Sequence, residues 1–197
     1  MPGSIPALRR ATGNLHPAGK FNYSNKDLFR SRDGTQPMKS SELSLELARS
    51  TDAATIADMS RVLIEYGFRW SWTPDRVAAN IRAPNVNVLV ARMHEQTAGF
   101  AIMSYGDYIA HLLLLGVARP YRRLGIGRQL LEWLEKCAAV AGIICVSLEV
   151  RSRNKGAQKF YHRMGYRPLV RLPGYYQGRE AALRMGKDLT RKPQALL

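Results

Sequence analysis

Alternation of apolar and polar residues begins near residue 43. The segment 43–48 has the two-residue period of a half-buried strand. A helix is expected to open at Thr51, and its apolar stripe comprises Ile56, Met59, Leu63 and Tyr66. A second helix is predicted to start at Thr73-Pro74, because an N-cap residue followed by proline at the first helical position favours a helix.

Three segments with strand character follow the second predicted helix. They are Val86–Met93, Ala98–Tyr105 and Ile109–Val117, with residues 94–97 as the first turn. The third segment is almost continuously apolar, and Leu112 to Leu115 is its longest apolar run. Because strands buried on both faces lose the alternating pattern, we expect this strand to be central in the sheet.

A long amphipathic helix is predicted between about Gly125 and Val140, with Gly142 suited to its C-terminal cap. Its polar face is expected to carry Arg128, Glu132, Glu135 and Lys136. A strand over 143–150 and a short helix capped by Asn154 come next. Two further strands are predicted near 166–172 and 181–187, and the whole order indicates an α/β (α+β) fold.

Length and composition favour one folded domain with two tails. The 197 residues are 46% hydrophobic, and we expect the domain to span 43–188. Residues 1–40 are rich in Pro, Gly, Ser and basic residues and are predicted to be a disordered basic tail, with a second tail over 189–197. No run approaches the roughly 20 apolar residues of a membrane span. Two cysteines without metal-ligand spacing favour a cytoplasmic protein without a metal.

The net charge of +15 favours anionic partners. Coenzyme A phosphates, nucleic acid and a ribosomal surface all fit this charge. Contact with the ribosome or RNA through residues 1–40 is one expectation. A tail without a binding function is the alternative.

A candidate phosphate site lies between the central strand and the long helix. The motif is Arg122-x-x-Gly125-x-Gly127, and the unpaired N–H groups of a helix N-terminus attract phosphate. Glycines permit close approach of an anion to the backbone. The P-loop pattern is absent, and Leu130 stands where a dinucleotide motif needs glycine. A glycine-rich turn with solvated arginines is the alternative.

This motif resembles the acetyl-CoA diphosphate motif of the GNAT superfamily of N-acyltransferases, and the element order resembles that superfamily over 43–188. The resemblance implies a twisted, mixed, mostly antiparallel sheet of six or seven strands with about four helices. It also implies a splayed central strand pair that accommodates the pantetheine of acetyl-CoA. The residues implied to bind the cofactor are Leu115, Gly116, Val117, Arg122, Arg123, Leu124, Gly125, Ile126, Gly127, Arg128, Asn154 and Tyr161.

The segment from residue 148 to Tyr161 is similar to bacterial ribosomal-protein-alanine N-acetyltransferases. This resemblance implies that Glu149 is the general base for the attacking amine. It implies that Tyr161 protonates the departing thiolate, in direct transfer within a ternary complex. A Glu149 paired with a neighbouring arginine, Arg151 or Arg184, and a Tyr161 that only packs in the core are the alternatives. His111 and His162 are alternative bases.

The acceptor side is expected between the first two helices and the last hairpin. Aromatic residues occur there that would line a peptide slot or belong to the core: Tyr66, Phe68, Trp70, Trp72, Tyr175 and Tyr176. Arg171, Arg179 and Arg184 favour an acceptor with carboxylates nearby. The leading hypothesis is acetylation of a protein N-terminal α-amine. A small-molecule amine acetyltransferase and a non-catalytic acyl-CoA-binding or nucleic-acid-binding module are the alternatives.

Overall fold

The computed structural model describes residues 43–190, so the predicted tail over 1–40 and most of that over 189–197 lie outside the described residues. The strands are β1 Leu43–Leu47, β2 Val86–Met93, β3 Gln96–Tyr105, β4 Ile109–Val117, β5 Cys145–Arg151, β6 Arg167–Tyr176 and β7 Glu180–Asp188. The helices are α1 Ala53–Leu63, α2 Pro74–Arg82, α3 Ile126–Val140 and α4 Lys155–Arg163. Short 3-10 turns precede α1 and follow β4.

The seven strands form one mixed sheet in the order β1-β2-β3-β4-β5-β7-β6. All neighbouring pairs are antiparallel except β4 and β5, which run parallel. The central position predicted for β4 is therefore confirmed. The predicted mostly antiparallel sheet with four flanking helices is confirmed as well.

A β-bulge in β4 changes which way its side chains point. Met103 pairs with Leu112 and Ile102 pairs with Leu114, so Leu113 is the extra residue. Leu112 belongs to the core beneath α3, whereas Leu114 belongs to the core beneath α1 and α2. The apolar run from Leu112 onward therefore coincides with a change of face, since a bulge adds one residue and bends its strand.

The parallel pair separates beyond the bulge. β4 and β5 are paired only from Ile109 with Cys145 to Leu112 with Leu148. The remaining ends, residues 113–117 and 149–151, have no pairing with each other. The predicted splayed central strand pair is confirmed, and it leaves an opening between the two strand ends.

Two apolar cores hold the helices on opposite faces of the sheet. Ile56 and Val77 from α1 and α2 pack against Phe100 and Leu114 on one face. The α3 residues Leu130, Leu131 and Leu134 are fully buried on the other face, where α4 also packs. The opening between β4 and β5 is thereby flanked by helices on both sides.

The start of α2 agrees with the sequence prediction, whereas the end of α1 does not. The Thr73 side chain accepts a hydrogen bond from the Arg76 N–H at 3.4 Å, which confirms the predicted N-cap. The prediction for Tyr66 was wrong: α1 ends at Leu63, and Tyr66 is 80% exposed. The helix ends three residues before this position, and the loop that follows turns at Gly67, which has a φ of +84°.

The predicted surface position of Glu135 was also wrong. Glu135 is buried, and its carboxylate accepts hydrogen bonds from the Tyr166 hydroxyl at 2.9 Å and the Lys187 ammonium at 2.5 Å. Tyr166 and β7 cover this side of α3, and the paired charges make the burial possible. The turn predicted over residues 94–97 is longer than the one observed. β3 already begins at Gln96, after a two-residue turn in which His94 and Glu95 both have positive φ.

Candidate active site

The N-terminus of α3 presents unpaired backbone donors at the end of β4. Gly125 is the N-cap and has a φ of +80°, a left-handed conformation that favours glycine. The first helical hydrogen bond runs from the Gln129 N–H to the Gly125 carbonyl at 3.0 Å. The N–H groups of residues 126–128 therefore have no acceptor within the helix. Their direction and the helix dipole suit an anion.

The absence of a side chain on Gly127 creates space beside this helix end. A Cβ at this position would lie 3.6 Å from side-chain atoms of Leu115, Val117 and Phe160. The last part of β4, the first turn of α3 and the middle of α4 therefore meet here. At Gly116 a Cβ would lie 2.7 Å from the Phe100 ring, so this position tolerates only glycine.

The predicted basic residues surround this helix end in an open arrangement. Arg122, Arg123 and Arg128 are exposed, as is Leu124. The Arg122 Nε donates a hydrogen bond to the Val117 carbonyl at 3.1 Å. That carbonyl was expected to face pantetheine, and in the structure it is engaged by Arg122. The Arg122 guanidinium thus lies beside Val117, and an Arg128 nitrogen would lie 3.9 Å from a Cβ built on Gly125.

The predicted residues of α4 lie on the same side of the sheet as α3. Asn154 caps α4, and its Oδ1 accepts a hydrogen bond from the Ala157 N–H at 3.0 Å, which confirms the predicted cap. Tyr161 is buried against Phe160 and Tyr166, with ring centroids 5.1 and 5.7 Å away. Burial raises the pKa of the Tyr161 hydroxyl well above its usual value of 10. The phenol therefore keeps its proton at neutral pH.

Glu149 extends from β5 on the opposite face and is held by three side chains. Its Oε1 accepts a hydrogen bond from the Arg184 Nε at 2.6 Å. Its Oε2 lies 2.8 Å from the His111 Nε2 and accepts a hydrogen bond from the Tyr175 hydroxyl at 3.3 Å. Of the two arginines considered from the sequence, Arg184 is thus the partner of Glu149.

These contacts determine the protonation state of Glu149. Burial alone would raise its pKa, but hydrogen bonds from His111 and Arg184 outweigh burial, and the pKa is lowered from its usual value. The Glu149 side chain is 5% exposed, whereas those of His111 and Arg184 are 32% and 42% exposed. His111 also contacts the Ser147 hydroxyl through Nδ1 at 2.8 Å. His162, the other alternative base, lies on the exposed face of α4 away from this cluster.

The other predicted partner, Arg151, connects β5 to the loop between α1 and α2. Its guanidinium donates hydrogen bonds to the carbonyls of Ile64 at 2.5 Å and Tyr66 at 3.1 Å. It also lies 4.1 Å from the centroid of the Phe68 ring, which stacks on Tyr176. Arginine thus satisfies carbonyls at the end of α1 and orders the loop after it.

The loop between α1 and α2 is joined to the tip of the last hairpin. The Gln177 side chain accepts a hydrogen bond from the Arg69 N–H and donates one to the Arg69 carbonyl, both at 3.0 Å. This pair of bonds connects two segments that are 108 residues apart in the sequence. The aromatic residues expected on the acceptor side are therefore divided between two linked loops. Sequence reasoning had no signal for Gln177, because its partner is a backbone amide.

Residues 43–190 carry neither a membrane-spanning helix nor a metal cluster. No helix in this range is long and apolar enough to cross a membrane. The same range holds no cluster of three or more His, Cys, Asp or Glu side chains suited to a metal ion.

Comparison with known proteins identifies the family. The model of the Acetyltransferase (GNAT) family matches residues 56–166, more than half of the chain. The chain belongs to this family. It is therefore an N-acetyltransferase that uses acetyl-CoA as its acetyl donor. The alternative of a non-catalytic binding module is not supported.

Relatives within this family act on different amines. The aminoalkylphosphonate N-acetyltransferase of Salmonella typhimurium is 30% identical over 71% of this chain and 92% of its own length. The ribosomal protein bS18-alanine N-acetyltransferase of the same organism is 33% identical over 49% of this chain and 67% of its own length. The structure of the Escherichia coli ribosomal-protein-S18-alanine N-acetyltransferase has 25% identity and a TM-score of 0.66, covering 79% of this chain and 99% of that one.

Proposed function

We propose that this acetyltransferase acetylates the N-terminal α-amine of a protein. The observation that carries the proposal is the connection between the two loops on the acceptor side. Gln177 links the hairpin tip to Arg69, and Arg151 links β5 to the end of α1. These contacts hold the loop between α1 and α2 against the hairpin whose Tyr175 hydroxyl contacts Glu149, so two ordered loops would border an extended chain end at this carboxylate. The relatives that act on ribosomal protein bS18 support the same acceptor class.

The N-terminus of α3 fits the diphosphate of acetyl-CoA. The unpaired N–H groups of residues 126–128 would donate to its oxygens, and Gly127 leaves room that a side chain would fill. Arg122, Arg123 and Arg128 would add positive charge around it. Leu115, Gly116 and Asn154 would then border the pantetheine in the opening between β4 and β5, where the thioester would lie.

Glu149 and Tyr161 would act from opposite sides of that opening. Glu149 would receive a proton from the amine, directly or through a water molecule, while the hydrogen bond from His111 Nε2 holds its Oε2 in place. The amine nitrogen forms a bond to the carbonyl carbon as the bond from carbon to sulfur breaks. Tyr161 would donate its hydroxyl proton to the departing sulfur. No covalent enzyme intermediate is needed, because the thioester is already activated toward attack. The orientation of both substrates in a ternary complex would supply much of the rate.

The cellular setting remains an expectation from the sequence. Cys137 and Cys145 are both free thiols, as in proteins of the reducing cytoplasm. Contact of residues 1–40 with a ribosome or RNA would bring the enzyme close to newly made acceptor chains.

A mass-spectrometric screen with acetyl-CoA tests the proposal. Short peptides with a free α-amine, the same peptides with a blocked terminus but one lysine, and small amines including an aminoalkylphosphonate would be compared. We expect product with the free α-amine, at a rate at least about 100-fold lower for Tyr161→Phe. Affinity of that variant for acetyl-CoA should stay within about threefold of wild type. Product with small amines alone would favour the small-molecule alternative and refute the proposal.

A further inference from the structure

A concave basic surface lies between α4 and the last hairpin, which is formed by β6 and β7. This groove has a volume of about 530 Å³, and its residues are Ser152, Arg153, Lys155, Gln158, Arg171, Arg179, Glu180, Ala181 and Leu183. One wall is formed by the start of α4 and the turn that precedes it, and the other by β6, β7 and the turn between them. The residues that surround Gly127 do not line it, so the groove is separate from the candidate diphosphate site.

The positive charges of the groove have no ionic partners among residues 43–190. Arg153, Arg171 and Arg179 are exposed, and among residues 43–190 no carboxylate lies within 4.0 Å of their guanidinium groups. The Lys155 ammonium donates a hydrogen bond to the neutral Gln158 side chain at 3.4 Å. Four cations facing one concave surface repel each other, so an anionic ligand would be favoured there.

The single carboxylate in the groove is directed toward the candidate active site. Glu180 lies 3.9 Å from the Arg151 guanidinium and accepts a hydrogen bond from the Arg153 N–H at 3.4 Å. Arg151 lies in turn over the Phe68 and Tyr176 rings, and the Tyr176 hydroxyl donates to the Glu149 carbonyl at 3.4 Å. The groove and the acceptor side therefore share one hairpin and are joined by a continuous series of contacts.

The lining favours an extended acidic peptide over single-stranded nucleic acid. Ala181 and Leu183 supply an apolar floor, and Ser152 and Gln158 add neutral polar groups. In the described part of the chain no aromatic residue lines the groove, whereas proteins that bind single-stranded nucleic acid stack bases on aromatic rings. Arginine pairs with carboxylates and with phosphates alike, so the apolar floor without stacking rings is what favours a peptide.

We infer that the groove binds an acidic segment of the acceptor protein that follows its acetylated end. This inference rests on the proposed function and extends it, because it names the substrate class. The acceptor would carry a free α-amine and, several residues later, a cluster of Asp or Glu. Arg171 and Arg179 on the hairpin would determine this specificity without contacting the reacting atoms.

Matched peptides test the inference. Two peptides would share the first five residues and differ in the next six, which are Asp and Glu in one and Asn and Gln in the other. We expect kcat/KM to be about tenfold higher for the acidic peptide at low salt, through KM, and the difference to shrink in 0.5 M NaCl, where the Debye length is only about 4 Å. The double variant Arg171→Gln/Arg179→Gln should lose this preference and retain kcat for the neutral peptide.

A charge-matched control separates the groove from net charge. Lys136→Gln/Arg163→Gln removes two exposed charges outside the groove and should keep the full preference. Equal kcat/KM of the wild type for the two peptides would overturn the inference and leave the proposed function intact. Equal loss of the preference for the acidic peptide in both double variants would have the same consequence. Competition by an RNA oligonucleotide, with no effect of the acidic tail, would overturn it in favour of nucleic acid. Absence of product with either peptide would refute the proposed function, and with it the inference.

Discussion

At the scale of single residues, Glu149 is kept ionised by its neighbours. Arg184 and His111 each contact one carboxylate oxygen, at 2.6 and 2.8 Å. They overcome the effect of burial and lower the pKa of this group. An ionised, oriented carboxylate can hold an amine and accept its proton, and the partly exposed His111 connects it to Ser147. Because the same contacts join β5 to β4 and β7, Glu149 also contributes to the free energy of unfolding.

A pH-dependent stability follows from the lowered pKa. In the folded protein Glu149 binds its proton less readily than in the unfolded chain. Its ionised form therefore stabilises the fold above the unfolded pKa of 4.5, and this contribution is lost as the pH falls through the lower folded pKa. We predict that Glu149→Gln lowers the free energy of unfolding by about 1.5–3 kcal/mol at pH 7. Urea unfolding between pH 7 and 3 should show this difference shrinking with acidity; a constant difference would contradict it.

At the scale of elements, the bulge in β4 and the link between two loops shape the site. The bulge at Leu113 separates β4 from β5 after Leu112, which gives the opening for pantetheine. The hydrogen bonds between Gln177 and the Arg69 backbone close the acceptor side. Each such bond contributes about 1 kcal/mol, so removing both would favour an open arrangement of the two loops.

Kinetics of Gln177→Ala test the role of this link. We predict that KM for an acceptor peptide rises about tenfold, while kcat and KM for acetyl-CoA change less than about threefold. Hydrogen exchange should become faster in residues 64–72 and 174–179. Arg69→Ala is the matched control, because the link uses only the backbone of that residue. An unchanged KM in Gln177→Ala, or an equal rise in Arg69→Ala, would count against the link.

Local sequence patterns predicted most helices and strands, but they could not predict contacts between residues that are far apart in the sequence. Thr73 and Asn154 cap helices through bonds to residues three positions later, and such contacts are visible in sequence spacing. The pairing of His111 with Ser147 depends on the register of two parallel strands, which no local pattern specifies. Glu135 has the position of a surface residue on α3, and only the packing of Tyr166 and Lys187 around it explains its burial.

At the scale of the whole molecule, charge and topology complement each other. The excess of 30 basic over 15 acidic residues suits a donor that carries phosphates and, by our inference, an acidic acceptor. In the strand order, β5 lies between β4 and the hairpin of β7 and β6. The opening between β4 and β5 is therefore bordered by the strand that leads to α3 on one side and is close to the last hairpin on the other. Two substrates can therefore approach the same opening from different directions.

The central claim is that the N-terminus of α3 holds the diphosphate of acetyl-CoA and thereby directs the thioester toward Glu149 and Tyr161. A crystal structure of the wild-type protein with acetyl-CoA tests this most directly. We predict diphosphate oxygens about 3 Å from the backbone nitrogens of residues 126–128, with the thioester between β4 and β5. A diphosphate bound elsewhere, for example in the groove beside Arg171, with no contact to the start of α3, would contradict the account.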